Sequence, residues 1–270
     1  MRRPTGPSRP FPGRHRPRPA SRPDPDRGDD GTAILFGWHP VSEALRNPGR
    51  VARRLLATEN AARRLHEEVG EPPIQPEIVR PGDIDRLLPP DALHQGLYLE
   101  VEPLAGPDVE GLPADSFILA LDQLTDPHNV GAIVRTAAAF GVHAILTTAR
   151  HSPAATGVLA KAASGGLEHV PFVVVRNLAE ALIALGERGF RRIGLDSEGD
   201  RLLGDVPRAP GTVLVLGAEG RGMRQRTRQC CDLVARLDMP GAIKSLNVSN
   251  AAAIALYALT QRPAGAGPET

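Results

Sequence analysis

The sequence predicts an α/β protein built around a mostly parallel sheet, with a smaller α/β domain ahead of it. Two observations carry the prediction. From Phe117 onward, short runs of Val, Ile, Leu and Ala alternate with helical stretches, the pattern of strands buried on both faces and joined by crossover helices. A second set of strand and helix signals fills 31–102, and Pro103, Gly106, Pro107, Gly111 and Pro113 separate the two sets as a linker over 103–115.

Residues 1–30 alternate Pro, Arg, Gly and Asp with almost no apolar content. Such a segment cannot bury enough surface to offset its ordering entropy, so a disordered tail is expected. Its arginines suit either an arm that touches phosphates or a solubilising tail. In the first domain, Gly37-Trp38-His39-Pro40 leads into a helix at Val41–Arg46. A strand at Val51–Ala57, a helix at Asn60–Val69 and a strand at Ile74–Val79 follow. A helical turn at Ile84–Leu88 and a strand at Leu97–Val101 complete it.

In the second domain, 116–265, strands are expected at Phe117–Asp122, His143–Thr147, Phe172–Val175, Arg192–Asp196, Thr212–Leu216 and Leu233–Leu237. Helices are expected at Asn129–Phe140, Pro153–Ser164, Leu178–Arg188, Met223–Gln229 and Val248–Thr260. Gly141 and Gly189 supply helix stops.

Composition removes several classes. With 41% hydrophobic and 23% charged residues, the 270-residue chain can bury a real core in solution. Aromatic content of 3% argues against base-stacking platforms as the main route to RNA. A net charge of +1 leaves any nucleic-acid face to be local. Cys230 and Cys231 are neighbours that cannot staple distant segments, and there is no Cys/His spacing for zinc, so no metal is expected and a reducing cytoplasm fits. No stretch is long and apolar enough to span a membrane, and no apolar core follows the Arg-rich start as in a secretory signal.

Parallel sheets place ligands at the C-terminal ends of their strands, which directs attention to the loops after Asp122, Leu216 and Leu237. The first loop ends at Asn129, read as an N-cap, and opens a small apolar helix whose one charge is Arg135. Taken alone, Arg135 reads more readily as a structural ion pair than as a functional group. The second loop, Gly217-Ala218-Glu219-Gly220-Arg221-Gly222, lets backbone approach a ligand. It lacks the Lys-Ser/Thr of a phosphate-binding P-loop and the spacing of a dinucleotide fingerprint. The third, Met239 to Asn250, opens the last helix, where Ser245 or Asn247 serves as an N-cap.

Taken together, in this order, the three loops resemble the motifs of the SpoU/TrmH family of RNA 2′-O-ribose methyltransferases. Asn129-Val130-Gly131-Ala132-Ile133-Val134-Arg135-Thr136-Ala137 is similar to the first motif, Leu216 through Met223 to the second, and Met239-Pro240-Gly241 with Ser245-Leu246-Asn247-Val248-Ser249 to the third. The likeness runs over about 117–262. Residues 31–102, with Gly37-Trp38-His39-Pro40-Val41 and His94-Gln95-Gly96, resemble the ribosomal-protein-like substrate-binding domain of many members.

The resemblance implies an α/β trefoil-knot (SPOUT) domain, S-adenosyl-L-methionine as cofactor, no metal, and a homodimer whose active site draws on both subunits. It implies that Arg135 acts at the ribose 2′-hydroxyl, as base or as orienter, with Asn129, Glu219, Ser245 and Asn247 holding the geometry. Because the guanidinium pKa lies far above neutrality, orientation is the chemically easier role. The cofactor would be gripped largely by backbone at Gly217, Leu237 and Leu246, with Leu195 and Met239 nearby. Asp238 departs from the proline that many relatives carry, and Lys244 sits where they vary. A separate first domain points to the large-subunit ribosomal RNA guanosine branch, with transfer RNA as the alternative substrate. A non-catalytic RNA-binding or ribosome-assembly factor on the same scaffold is the reading from another class, and the joint presence of Asn129, Arg135, Glu219 and Asn247 argues against it.

Overall fold

The computed structural model describes residues 32–149 and 157–261; the expected tail over 1–30, the first turn of the helix expected from Pro153, and residues 262–265 lie outside the described residues. The first unit runs β1 (Ala33–Phe36), α1 (Trp38–Arg46), β2 (Ala52–Ala57), α2 (Glu59–Val69), β3 (Glu77–Ile78), α3 (Pro81–Asp85) and β4 (Leu97–Val101). Its sheet order is β1-β4-β2-β3, with β4 antiparallel to both neighbours.

β1 was not expected from the sequence. Its residues Ala33-Ile34-Leu35-Phe36 are all buried, so the run lacks the polar alternation that marks a strand. Ala33 and Leu35 join the core beneath α1 and α2, while Ile34 and Phe36 pack with Ile84 on the other face. The strand expected over Ile74–Val79 shrinks to Glu77–Ile78, because Pro72, Pro73 and Pro76 have no N–H for a ladder. The helical turn starts earlier than expected, with Pro81 in its first turn and the Asp83 carboxylate accepting from the Arg80 N–H at 3.1 Å.

The second unit runs β5 (Phe117–Asp122), α4 (Pro127–Ala139), β6 (Ala144–Thr148), α5 (Gly157–Ala163), β7 (Phe172–Val175), α6 (Leu178–Glu187), β8 (Arg191–Leu195), β9 (Arg201–Leu202), β10 (Thr212–Gly217), α7 (Gln225–Gln229), β11 (Leu233–Arg236) and α8 (Val248–Thr260). The seven strands are ordered β7-β6-β5-β10-β8-β11-β9, and every pairing is parallel. The fold class expected from the sequence is the one found.

β5 and β10 form the centre of this sheet and are buried almost throughout. Leu119, Leu121, Leu214 and Leu216 face a cluster that includes residues of α4 and α8, whereas Ile118, Ala120, Val213 and Val215 face α6. After the edge-proximal β11 the chain returns to lay α8 on α4 and β10. That return carries the loop after β11 back across the C-terminal ends of the central strands. Residues 103–115, expected as a linker, are fastened down. Val109 and Leu112 are buried against the second unit, and both their carbonyls accept from the Arg188 guanidinium.

Candidate active site

β10 ends at Gly217, and the chain there turns back on itself. Ala218 and Gly222 exchange backbone hydrogen bonds at 3.0 and 2.8 Å, and Gly220 and Gly222 take φ of +75° and +64°, the left-handed region that favours glycine. A Cβ on Gly217 would lie 2.1 Å from the Gly222 carbonyl carbon. Only glycine therefore lets this hairpin close.

The first loop is tied to the second. The Asp122 carboxylate at the end of β5 is fully buried and accepts from the backbone N–H and Nε of Arg224, both at 2.8 Å. The first loop is also tied to the third. Asn247 caps α8 by accepting from the Ser249 N–H at 2.9 Å, and its Nδ2 donates to Asn129 Oδ1 at 3.0 Å. The N-cap of α4 is Asp126, which accepts from the His128 N–H at 3.0 Å; Asn129 is not the cap expected from the sequence but a residue of the helix itself. Its carboxamide is thereby free for Asn247.

The second and third loops, with the loop after β8, enclose a cavity of ≈ 710 Å³. Gly217, Glu219, Leu195, Leu237, Met239, Ser245, Leu246 and Asn247 all line it, and Asn129 reaches its edge through Asn247. Arg135 does not. It is exposed on α4, and among the described residues no carboxylate pairs with it, contrary to the structural ion pair that an isolated arginine suggested. Lys244 donates to the Met239 carbonyl, folding the third loop over the cavity. Asp196 and Glu198 also line the cavity and were missed. They follow β8, and the strand-end rule that singled out the other loops applies equally there. Asp196 is held by Arg228 Nη1 at 2.8 Å.

The walls suit a bent, partly apolar ligand. Leu195, Leu216, Leu237 and Leu246 give apolar surface, the Gly217–Gly222 backbone stands open, and Glu219 and Glu198 bring negative charge. Among the described residues no cluster of side chains has the makings of a metal site, and no helix is long and apolar enough to cross a membrane. Cys230 and Cys231 line no part of the cavity, and burial pushes the Cys231 thiol up to about 12, far from a reactive thiolate.

The site and sheet define a strand-end ligand pocket on a parallel α/β domain, and comparison with known proteins fixes its class. The model of the SpoU rRNA methylase family matches residues 116–257, and that of the RNA 2′-O ribose methyltransferase substrate-binding family matches 34–107. The chain belongs to the SpoU family and is an RNA 2′-O-methyltransferase; the family's cofactor is S-adenosylmethionine. An uncharacterized tRNA/rRNA methyltransferase of Mycolicibacterium paratuberculosis is 37% identical over 254 residues, covering 89% of this chain and 81% of that protein. The 23S rRNA (guanosine-2′-O-)-methyltransferase RlmB of Pseudomonas aeruginosa is 41% identical over 182 residues, 64% of this chain and 72% of its own. Among solved structures, the SpoU methyltransferase AviRb of Streptomyces viridochromogenes in complex with AdoMet superposes with a TM-score of 0.73 at 25% identity, covering 86% of this chain and 90% of AviRb.

Proposed function

We propose that this chain methylates the ribose 2′-hydroxyl of a guanosine in 23S ribosomal RNA, in the cytoplasm, as a homodimer that holds S-adenosylmethionine in the cavity. The observation that carries this reading is the convergence of the second and third motif loops on one cavity, with Asn129 of the first motif bonded to Asn247 at its wall. The choice of RNA is supported by the likeness to the Pseudomonas enzyme and by the substrate-binding family match over 34–107.

S-adenosylmethionine, when bound, supplies an electrophilic methyl on a sulfonium. The chain's own residues do the rest. Leu195, Leu237, Leu246 and Met239 give the cavity its apolar surface, and the Gly217–Gly222 hairpin offers backbone polar groups without side-chain obstruction. Asn247 and Ser245 line the cavity from the third loop and Glu219 from the second, and in this reading they border the entering ribose. In-line displacement rewards alignment above all, so these groups act by position. The Arg135 guanidinium orients the hydroxyl and the neighbouring phosphate, a pairing suited to its bidentate fork.

Arg135 does not line the cavity of its own chain, and the dimer resolves this. α8, packed on α4, leaves Ile254 and Tyr257 47% and 58% exposed, with Phe140 edge-on to Tyr257 at 6.3 Å. This apolar face, built on the helix that packs against α4, suits a second copy, across which each Arg135 would enter the partner's cavity.

Labelled S-adenosylmethionine and total RNA from a strain lacking the gene test the reading, with ribose methylation mapped by resistance to alkaline hydrolysis. One protected guanosine in 23S RNA is expected. A protected transfer RNA position would keep the chemistry and move the substrate. No methylation, with no cofactor binding by calorimetry, would overturn the reading in favour of a non-catalytic RNA-binding protein.

A further inference from the structure

The first unit is seated on the second through α5 and the turn that follows it. After α5, the 3-10 turn Gly166–Glu168 presents Glu168, whose carboxylate accepts from Arg50 Nε at 3.1 Å, from Arg50 Nη2, and from Asn47 Nδ2 at 2.8 Å. The Arg50 and Glu168 side chains are 5% and 3% exposed. Arg50 Nη1 also donates to the Glu102 carbonyl at 2.9 Å, so the guanidinium gathers both ends of the first unit's edge. Apolar packing follows the same seam. Ala160 of α5 belongs to the first unit's core, and a Cβ on Gly157 or Gly165 would come within 2.4 Å of the Phe36 or Glu43 side chain.

The other side of this turn bears on α4. A Cβ on Gly166 would lie 3.2 Å from the Arg135 Cα, and one on Gly131 would meet Ala162 and the Leu159 carbonyl. One short turn thus touches the first unit on one side and the backbone of Arg135 on the other. A buried charge pair recovers its desolvation cost only when its hydrogen bonds are met, and here Glu168 accepts three.

We propose that Glu168, Arg50 and Asn47 are positioning residues. They clasp the substrate-binding unit in one orientation on the helix that carries Arg135, so that RNA held by the first unit meets the catalytic arginine at a fixed distance. The proposal rests on the function proposed above for that unit and that arginine.

The test uses full-length Glu168→Arg, Arg50→Glu and the double swap, with Glu168→Gln as an isosteric variant should the reversals fail to fold. Small-angle scattering reads the radius of gyration, steady-state kinetics the KM for RNA, and calorimetry the cofactor affinity. The single variants are expected to widen the scattering envelope and raise the RNA KM about tenfold or more, since removing one partner strands a buried charge. Cofactor affinity should stay within about twofold, because no cavity residue is touched. The double swap should recover compactness and KM. Compact single variants with unchanged KM overturn the proposal, and so does loss of cofactor binding, which would mark a general folding role. If the wild-type chain methylates no RNA, the proposed function fails while scattering still decides the clasp.

Discussion

At the cavity, Asn247 commits both ends of its carboxamide: the oxygen caps α8 through Ser249, and the nitrogen donates to Asn129. Arg135 has the opposite character, an exposed cation with no carboxylate beside it among the described residues. Replacing Arg135 with Ala should therefore abolish methyl transfer and leave cofactor affinity within about twofold, by single-turnover assay and calorimetry. Arg135→Lys should fail to restore activity, since an ammonium cannot fork across hydroxyl and phosphate; retained transfer in the alanine variant would remove Arg135 from the chemistry. Cys231 gives a pH statement. Burial raises its thiol to about 12, so the folded chain holds that proton more tightly than the unfolded chain. The associated stability is present below the ordinary thiol range and is lost as pH rises through about 12. Iodoacetamide at pH 8 should leave methyl transfer intact, and rapid alkylation there with loss of activity would contradict the assignment.

Among the elements that line the cavity, the β10 hairpin sets a strict steric demand. Gly217→Ala must push the Gly222 backbone away, so cofactor affinity should fall about tenfold or more while RNA binding holds. Calorimetry with unchanged affinity would show that the hairpin is softer than its contacts imply. β5, β7 and α8 were legible to their last residues, because apolar runs with clear boundaries or a long small-residue helix leave little choice. β1 was not, since a strand buried on both faces has no alternation to read, and β9 is two residues on an edge. The cap of α4 was misplaced although Asp126-Pro127 carried the signal: a capping carboxylate followed by proline in the first turn. The three loops were legible as motifs, of which the second and third line one cavity and the first is bonded to it through Asn129, whereas the Glu168 clasp joins segments far apart in sequence that no local pattern connects.

At the level of the whole molecule, the exposed Ile254 and Tyr257 on α8 are the face on which the proposed association is tested. Ile254→Asp, which sets a charge in the proposed interface, should shift the protein to monomer in sedimentation and reduce methyl transfer in parallel. An active monomer would separate the two. The composite site has a sharper test in mixed dimers of Arg135→Ala and Asn247→Ala chains. Each variant alone should be inactive, yet a mixed dimer pairs the intact cavity of one chain with the Arg135 of the other. Random pairing of equal amounts should then restore about one quarter of wild-type methyl transfer to 23S RNA, as symmetric exchange requires. Two inactive variants that stay inactive when mixed, with mixed dimers verified, would contradict a site shared between subunits.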